Sequence, residues 1–333
     1  MIRLKDIAEA CGVSIATVSR ALNGLTNENK ERTAMICQTA REMGYYPNAA
    51  ARTLKTSRSS NIGILYENRM DHEYFSSLLD ELRSLAEERG YDLTLIGKKS
   101  EKNGESYYTH ARRRNLDGVV VLQADFDSAD VIRLAGSDMP TVVVDHIFEG
   151  CDCVCSDNRS SLERIVRFVC EHGHRRIAFV TGQAGAVTQE RLAGFYKACT
   201  ELGVQVPKAF VREGRYHDPE RCAVLVRELL QGTENPTCIL CPDDYSCLGA
   251  LWALKADGVR IPEEVSLVGY DGIRMTRMIQ PTLMTYRQNT EAIAGEVIRL
   301  LAEAIETPEK HRPCLITVEG TLVEGDTLRT LSR

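Results

Sequence analysis

Apolar residues recur along the chain with two different periods. From Leu4 to Met43 they return every three or four positions: Leu4, Ile7, Ala8 and Cys11 form one stripe, Val18 and Leu22 a second, and Ile36, Cys37, Ala40 and Met43 a third. That spacing predicts three short amphipathic helices, the last over about 29–43. Gly12 follows the first stripe, where left-handed backbone ends a helix, and the Ser14 hydroxyl can cap the second helix. Two helices joined by a tight turn containing Gly make a helix-turn-helix.

From Asn61 the pattern changes. NIGILY, YDLTLIG, DGVVVLQ, TVVVDH, RRIAFVTG, AFVREG, PTCILC and VSLVGYDG are short β-rich runs. Between them lie helical stretches such as HEYFSSLLDELRSLAEERG, with Leu78, Leu79, Leu82 and Leu85 on one stripe. Continuous apolar strands alternating with helices predict parallel sheets covered on both faces, and two such groups predict two lobes. The fold class is therefore a small all-α helix-turn-helix head plus an α/β domain of two parallel-sheet lobes.

The junction reads YYPNAAARTLKTSRSS. Pro47 stops what precedes it, Asn48 can cap, and AAARTLK is a helix former too short to be stable alone in water. It is expected to order against a partner, with Leu54 as its apolar tip and residues 56–60 as a linker.

Composition is that of an ordinary globular chain of 333 residues, 43% hydrophobic and 26% charged. The start, MIRLKDIAEACG, is charged and helix-patterned, and no run of about 18 apolar residues occurs, so the expected location is the cytoplasm, with no membrane partner. The net charge of -6 is unevenly spread: residues 1–60 hold nine Lys or Arg against five Asp or Glu (+4), and the remainder 32 against 42 (-10). A basic head on an acidic body suits a nucleic-acid partner for the head alone. Twelve cysteines include the alternating triplet CDCVC at 151–155, but neither paired CxxC groups nor CxxC with HxxxH occurs. These cysteines are read as reduced, small apolar residues, with no metal and no cofactor.

Residues 13–23, VSIATVSRALN, carry mostly Ser, Thr and Ala outside their two apolar anchors. Such a face is either simply solvated or small enough to sink into a groove, where Ser19 and Arg20 meet base edges and phosphates. In the body, ligands of parallel sheets bind beyond the carboxyl ends of strands. The residues just past those ends include Asp145, Arg191, Tyr216, Asp243, Asp244 and Asp271. Carboxylates, an arginine and an aromatic ring suit a polyol, although each aspartate alone can equally be a helix cap.

LKDIAEACGVSIATVSRALNG followed by GYYPNAAARTLKTSRSSNIGIL resembles the head of the lac-repressor and purine-repressor family of bacterial transcription regulators. The VSxxTVSRxLN stretch together with GYxPNxxAxxL makes that match highly specific. The resemblance implies domains at 1–46 (helix-turn-helix), 47–60 (hinge helix and linker) and 61–333 (effector binding and dimerisation). It places Ile15, Ala16 and Arg20 at base-contacting positions, Thr17 and Asn23 on the DNA backbone, and Leu54 as a wedge in the minor groove. Ser14, Ser19, Asn48 and Lys55 complete the candidate DNA-binding set.

The resemblance extends essentially to the C-terminus, where it implies a periplasmic-binding-protein-like effector domain. Its N-lobe would span about 61–157 and 288–315, and its C-lobe about 158–287 and 316–333. Arg191, Asp271 and Gln288 match effector-contacting residues, as do Asp145 and Asp243, while Tyr216 matches an aromatic platform. At the first strand exit many members carry an Asn-Pro-Phe-Phe-like sequence. This chain has ENRMDHEYF, which keeps Phe75 and Tyr74 but makes the entrance polar through Glu67, Asn68, Arg69, Asp71 and His72.

The expected function is a non-enzymatic repressor of sugar-utilisation genes. A homodimer would bind a palindromic double-stranded operator and respond to a sugar or sugar derivative, with a phosphocarrier protein as a further candidate partner. The alternative is a free-standing sugar-binding protein or a sugar-processing enzyme. Against the enzyme, no GxGxxG, P-loop, HExxH or GxSxG occurs, and GQAG at 182–185 is a weak signal.

Overall fold

The computed structural model describes residues 2–22, 30–45, 58–67, 72–97, 105–232 and 234–331. They fall into two compact units that meet in sequence between Ser60 and Asn61.

The first unit holds α1 (Leu4–Cys11), α2 (Ile15–Leu22) and α3 (Lys30–Glu42) around a core of Ile7, Ala8, Val18, Ala21, Ile36 and Ala40. Each helix is short and stands on the other two, because none buries enough apolar surface alone. Gly12 ends α1 at φ 64°, ψ 34°, and the Val13 N–H reaches back to the Ala8 carbonyl at 3.0 Å. The chain can then turn within two residues, and the Thr17 N–H donates to Ser14 Oγ at 3.1 Å to open α2.

The second unit runs β1 (Asn61–Tyr66), α4 (Glu73–Glu88), β2 (Asp92–Ile96), α5 (Tyr107–Arg113), β3 (Gly118–Gln123), α6 (Ala129–Ala135), β4 (Thr141–Val144) and β5 (Asp152–Ser156). It continues with α7 (Asn158–Glu171), β6 (Ile177–Thr181), α8 (Ala186–Glu201), β7 (Val211–Glu213), α9 (Pro219–Leu230), β8 (Cys238–Leu240), α10 (Asp244–Ala256) and β9 (Ser266–Val268). It closes with β10 (Thr285–Arg287), α11 (Thr290–Glu306), β11 (Leu315–Val318) and β12 (Thr321–Val323).

The strands form one parallel sheet in the order β11-β5-β4-β3-β1-β2 and a second in the order β7-β6-β8-β9. Burial follows the expectation for two-sided sheets: β4 and β6 are buried along their whole length, and β3 along all but its last residue. The triplet at 151–155 lies at β5, with Cys151 and Cys153 packed among Val119, Val121 and Val143.

Two details differ from the sequence reading. β10 and β12 form a separate antiparallel pair, which three-residue strands do not announce. The N-lobe also takes the whole of β11, because Leu315 to Val318 pair with Cys153 to Ser156 in register. The last crossing therefore falls after Val318 rather than at 315, since a strand completing a sheet edge cannot be divided between lobes. Helix α11 returns with it, burying Ile293, Val297, Ile298, Leu301 and Ile305 in the core of the first lobe. Among the described residues no helix is long and apolar enough to cross a membrane.

Candidate functional site

In the head, α2 divides cleanly by face. Val18 and Ala21 are buried in the three-helix core, while Ser14, Ile15, Ala16 and Arg20 are exposed and Thr17 and Ser19 half-buried. Ile15 leaves 48% of its surface in solvent. Thr17 Oγ1 shares a 2.8 Å hydrogen bond with Ser14 Oγ, which fixes both hydroxyls at the start of the helix. Asn23, Asn48, Leu54 and Lys55 lie outside the described residues, as do Asn68, Arg69 and Asp71 of the first-strand exit.

In the second unit the strand exits converge on Arg191. This guanidinium, on α8, is 5% exposed. Its Nε donates to Asn158 Oδ1 at 2.8 Å and its Nη1 to the Pro242 carbonyl at 2.8 Å. It lies 3.5 Å from the Tyr270 ring centre and 5.4 Å from that of Tyr216. Burial works against its charge, but Tyr270, Tyr216, Asp271 and Asp145 more than offset that and hold it protonated.

Asp271 and Asp145 face this cation from different lobes, and both occupy left-handed backbone, at φ 114° and φ 57°. Such conformations are uncommon for residues other than Gly and aim a side chain away from the strand it follows. Burial raises the Asp271 carboxyl well above the usual range, with Asp243 and Asp244 adding to it. Asp145 is raised by burial too, against the pull of the Ser156 N–H and Arg191. Asp145 Oδ1 accepts from that N–H at 2.8 Å, and Asp271 Oδ1 accepts from Gln288 Nε2 at 2.7 Å. Gln288 Oε1 in turn accepts a hydrogen bond from the Ser156 hydroxyl. One buried amide thus joins the end of β5 in the first lobe to the Asp271 loop of the second.

Tyr216 is a platform fixed from two sides. Its hydroxyl pairs with Thr188 Oγ1 at 2.9 Å, and a Cβ added at Gly182 would stand 2.1 Å from its ring, so only glycine admits the ring there. Asp243 holds the same loop. It is 1% exposed, caps α10 by accepting the Ser246 N–H at 2.7 Å, and accepts the His217 N–H at 2.8 Å. The expectation of Asp243 as an effector contact gives way to that of a cap and clamp, because its lone pairs are spent on protein donors.

Its neighbour Asp244 acts similarly on the other side. Oδ2 accepts the Gly272 and Ile273 N–H groups at 2.7 and 2.9 Å, and Oδ1 accepts the Thr285 hydroxyl at 2.6 Å. Burial pushes its carboxyl up to about 8.

Phase along α4 separates two aromatics that sequence reading treated together. Phe75, 3% exposed, stacks on Tyr66 at 3.6 Å within the core of the first lobe, so it lines no cleft. Tyr74 instead brings its buried hydroxyl towards Asp145, Asp271 and Ser156. Glu67 is also withdrawn, accepting the Tyr107 hydroxyl and the Asp125 N–H, the latter at 2.7 Å. His72 caps α4 and stacks on His217 of the other lobe at 3.9 Å. Ser156, Asn158 and Tyr270 were missed because nothing in their spacing marks them, whereas Asp244 was visible beside Asp243. Among the described residues no group of three or more His, Cys, Asp or Glu is arranged to hold a metal ion.

Comparison with known proteins agrees with this arrangement in both units. Residues 3–48 match the family profile described as bacterial regulatory proteins, lacI family, and residues 166–328 that of a periplasmic binding protein-like domain. The chain is 28% identical over 338 residues to the HTH-type transcriptional repressor PurR of Histophilus somni (strain 129Pt), covering 99% of this chain and 100% of that relative. Among solved structures it resembles a transcriptional regulator CelR-cellobiose complex at 25% identity and a TM-score of 0.70, covering 98% and 100% of the two chains. It shares its fold with a lac repressor dimer bound to operator and the anti-inducer ONPF, at 22% identity and a TM-score of 0.79, covering 98% and 99%.

Proposed function

The chain belongs to the lacI family of bacterial regulatory proteins, and on that footing we propose how its parts divide the work of a ligand-responsive repressor. It is a DNA-binding transcriptional repressor with a ligand-binding domain, and it is not an enzyme. In our reading a cytoplasmic homodimer sets two α2 helices into major grooves of a palindromic operator. Ile15 and Ala16 meet apolar base edges such as thymine methyls, and Arg20 with Ser19 supplies hydrogen-bonded readout. Ser14, Thr17 and Asn23 fix the helix on the backbone. Residues 47–60 form the hinge segment, in which Asn48 caps, Lys55 meets phosphate and Leu54 wedges into the minor groove.

The effector binds where Asp145, Arg191, Tyr216, Asp271 and Gln288 converge. One observation carries this assignment: the Ser156–Gln288–Asp271 chain ties the two lobes through the same buried groups that would meet a ligand. A ligand that competes for those groups in one lobe arrangement more than another shifts the equilibrium, with a coupling on the order of 1–3 kcal/mol.

The site chemistry suits a sugar, and the cellobiose named with a solved relative supports that choice. A second reading, a purine base, is favoured by the full-length relatives named PurR and by the aromatic platform at Tyr216. Neither reading calls on a phosphocarrier protein.

The test is selection of bound duplexes from a random pool by the full chain, followed by release with candidate ligands. An inverted repeat released by one sugar or base is the expected result. Enrichment of single, unpaired half-sites, or of nothing, would overturn the dimeric operator reading.

A further inference from the structure

The start of α4 is where the two lobes take hold of each other. His72, Glu73 and Tyr74 stand in consecutive positions and each reaches the second lobe: His72 stacks on His217, Glu73 accepts the Arg274 N–H, and Tyr74 approaches Asp271. The first of these contacts joins two groups that gain charge in mildly acidic water.

The His72 ring is held neutral by bonds within its own lobe. Its Nδ1 accepts the Phe75 N–H at 3.3 Å, which caps α4, so the ring proton sits on Nε2 and is donated to the Tyr66 hydroxyl at 3.1 Å. A second ring proton would have to go on Nδ1, against an N–H that already points there. The His217 ring lies almost flat on this one, with centres 3.9 Å apart and planes within 13°. His217 Nδ1 lies 3.8 Å from Oδ1 of Asp243, whose side chain is 1% exposed. A proton on His217 is therefore balanced by that carboxyl group and faces a neutral ring, which a cation tolerates. The neighbouring acids are committed elsewhere, Glu73 to the Arg274 N–H and Asp218 to the Arg221 N–H with which it caps α9. Among the described residues, the stacked pair has a counter-charge for one proton and none for a second.

We propose that His72 and His217 form an acid-released latch between the lobes: the stack holds while at most one ring is protonated, and a second proton parts the rings and lets the lobes separate. Linkage fixes the sign. Apart, both imidazoles are hydrated and each can take a proton, so the separated arrangement binds more protons and gains as pH falls, by at most about tenfold per pH unit for one extra proton. The change sets in near the ordinary imidazole value of about 6.5. The latch itself needs only the two lobes, while its effect on regulation rests on the ligand-responsive reading above, to which it adds pH as a second input.

Hydrogen exchange of the full-length protein, without ligand or DNA, tests it at the Arg274 amide, whose bond to Glu73 crosses between the lobes. Exchange is followed by mass spectrometry at pH 5.5, 6.5 and 7.5 and corrected for its intrinsic pH dependence. Protection of the segment holding Arg274 should fall about fivefold or more from pH 7.5 to pH 5.5 in the wild type. His72→Asn can still cap α4, and His217→Asn accepts the left-handed backbone at φ 55°. Each leaves one titrating ring, and each should hold the fall to within about twofold. Wild-type protection that does not change with pH overturns the latch, as does a fall that persists undiminished in both variants. Neither result touches the regulator reading, which stands or falls on operator selection and release. The wild-type profile decides even if a variant does not fold.

Discussion

The outer face of α2 and the junction around Arg191 are both candidate recognition surfaces, yet they are built in opposite ways. On α2 the outer residues contribute nothing to the core: Val18 and Ala21 hold the helix while Ile15, Ala16 and Arg20 stand in solvent. Around Arg191 the recognition groups are themselves structural, buried and bonded to one another across two lobes. The first surface can change its specificity without changing the fold. The second cannot, so a ligand bound there would be coupled to stability.

Arg191→Ala is the sharpest way to break that contrast. It removes two buried hydrogen bonds and leaves Asp145 and Asp271 without their cation, so a loss of about 3–5 kcal/mol is expected in urea denaturation, together with loss of ligand response. Near-wild-type stability would mean the junction is no more structural than α2. Phe75→Ala should cost about 3–5 kcal/mol through a cavity against Tyr66 while leaving ligand affinity within about threefold among the folded molecules. Calorimetry showing a selective loss of binding would return Phe75 to the cleft. For Arg20→Ala, discrimination between the selected operator and a scrambled duplex should fall by about 1–3 kcal/mol, with stability unchanged within about 0.5 kcal/mol. A variant that discriminates as well as the wild type would remove Arg20 from the reading face.

The remaining test concerns pH and sharpens the junction side of the contrast. Because the folded Asp244 carboxyl titrates at about 8 against 3.8 for a free carboxyl, the folded chain holds a proton in that window that the unfolded chain has lost. Its contribution to stability is therefore present below the lower value and is lost as pH rises through the upper one, at no more than about 1.4 kcal/mol per pH unit. Denaturation at pH 5, 6, 7 and 8 should show Asp244→Asn flattening that slope. An unaltered slope would show that Asp244 is ionised throughout.

Periodicity made most of this legible. The apolar runs mark the strands, and the strand exits mark Asp145, Arg191, Tyr216 and Asp271, which the fold brings together. What stayed hidden depended on rotation about a helix or on adjacency. Phe75 shares a stripe with Leu78 and Leu82, a signal that was present and outweighed by the aromatic pair it forms with Tyr74. Nothing in DD at 243–244 says which acid caps α10 and which holds the Asp271 loop, because both carboxylates are spent on backbone N–H groups chosen by the fold. Ser156 and Asn158 act through single hydrogen bonds that no residue pattern encodes.

The late arrival of α11 and β11 in the first lobe has a consequence in time. During synthesis β6 to β9 can form their own four-stranded sheet once β9 emerges, although their lobe is finished only when Met284, Tyr286, Leu322, Thr327 and Leu328 arrive to pack and bond against it. The first lobe waits longer for its sheet: β11, which closes one edge, and α11, which forms a wall of its core, are translated after β6 to β9. A ribosome stalled anywhere in that interval displays two unfinished lobes, and the groups that would grip a ligand do not yet face each other. Competence to sense is therefore acquired only near the end of translation.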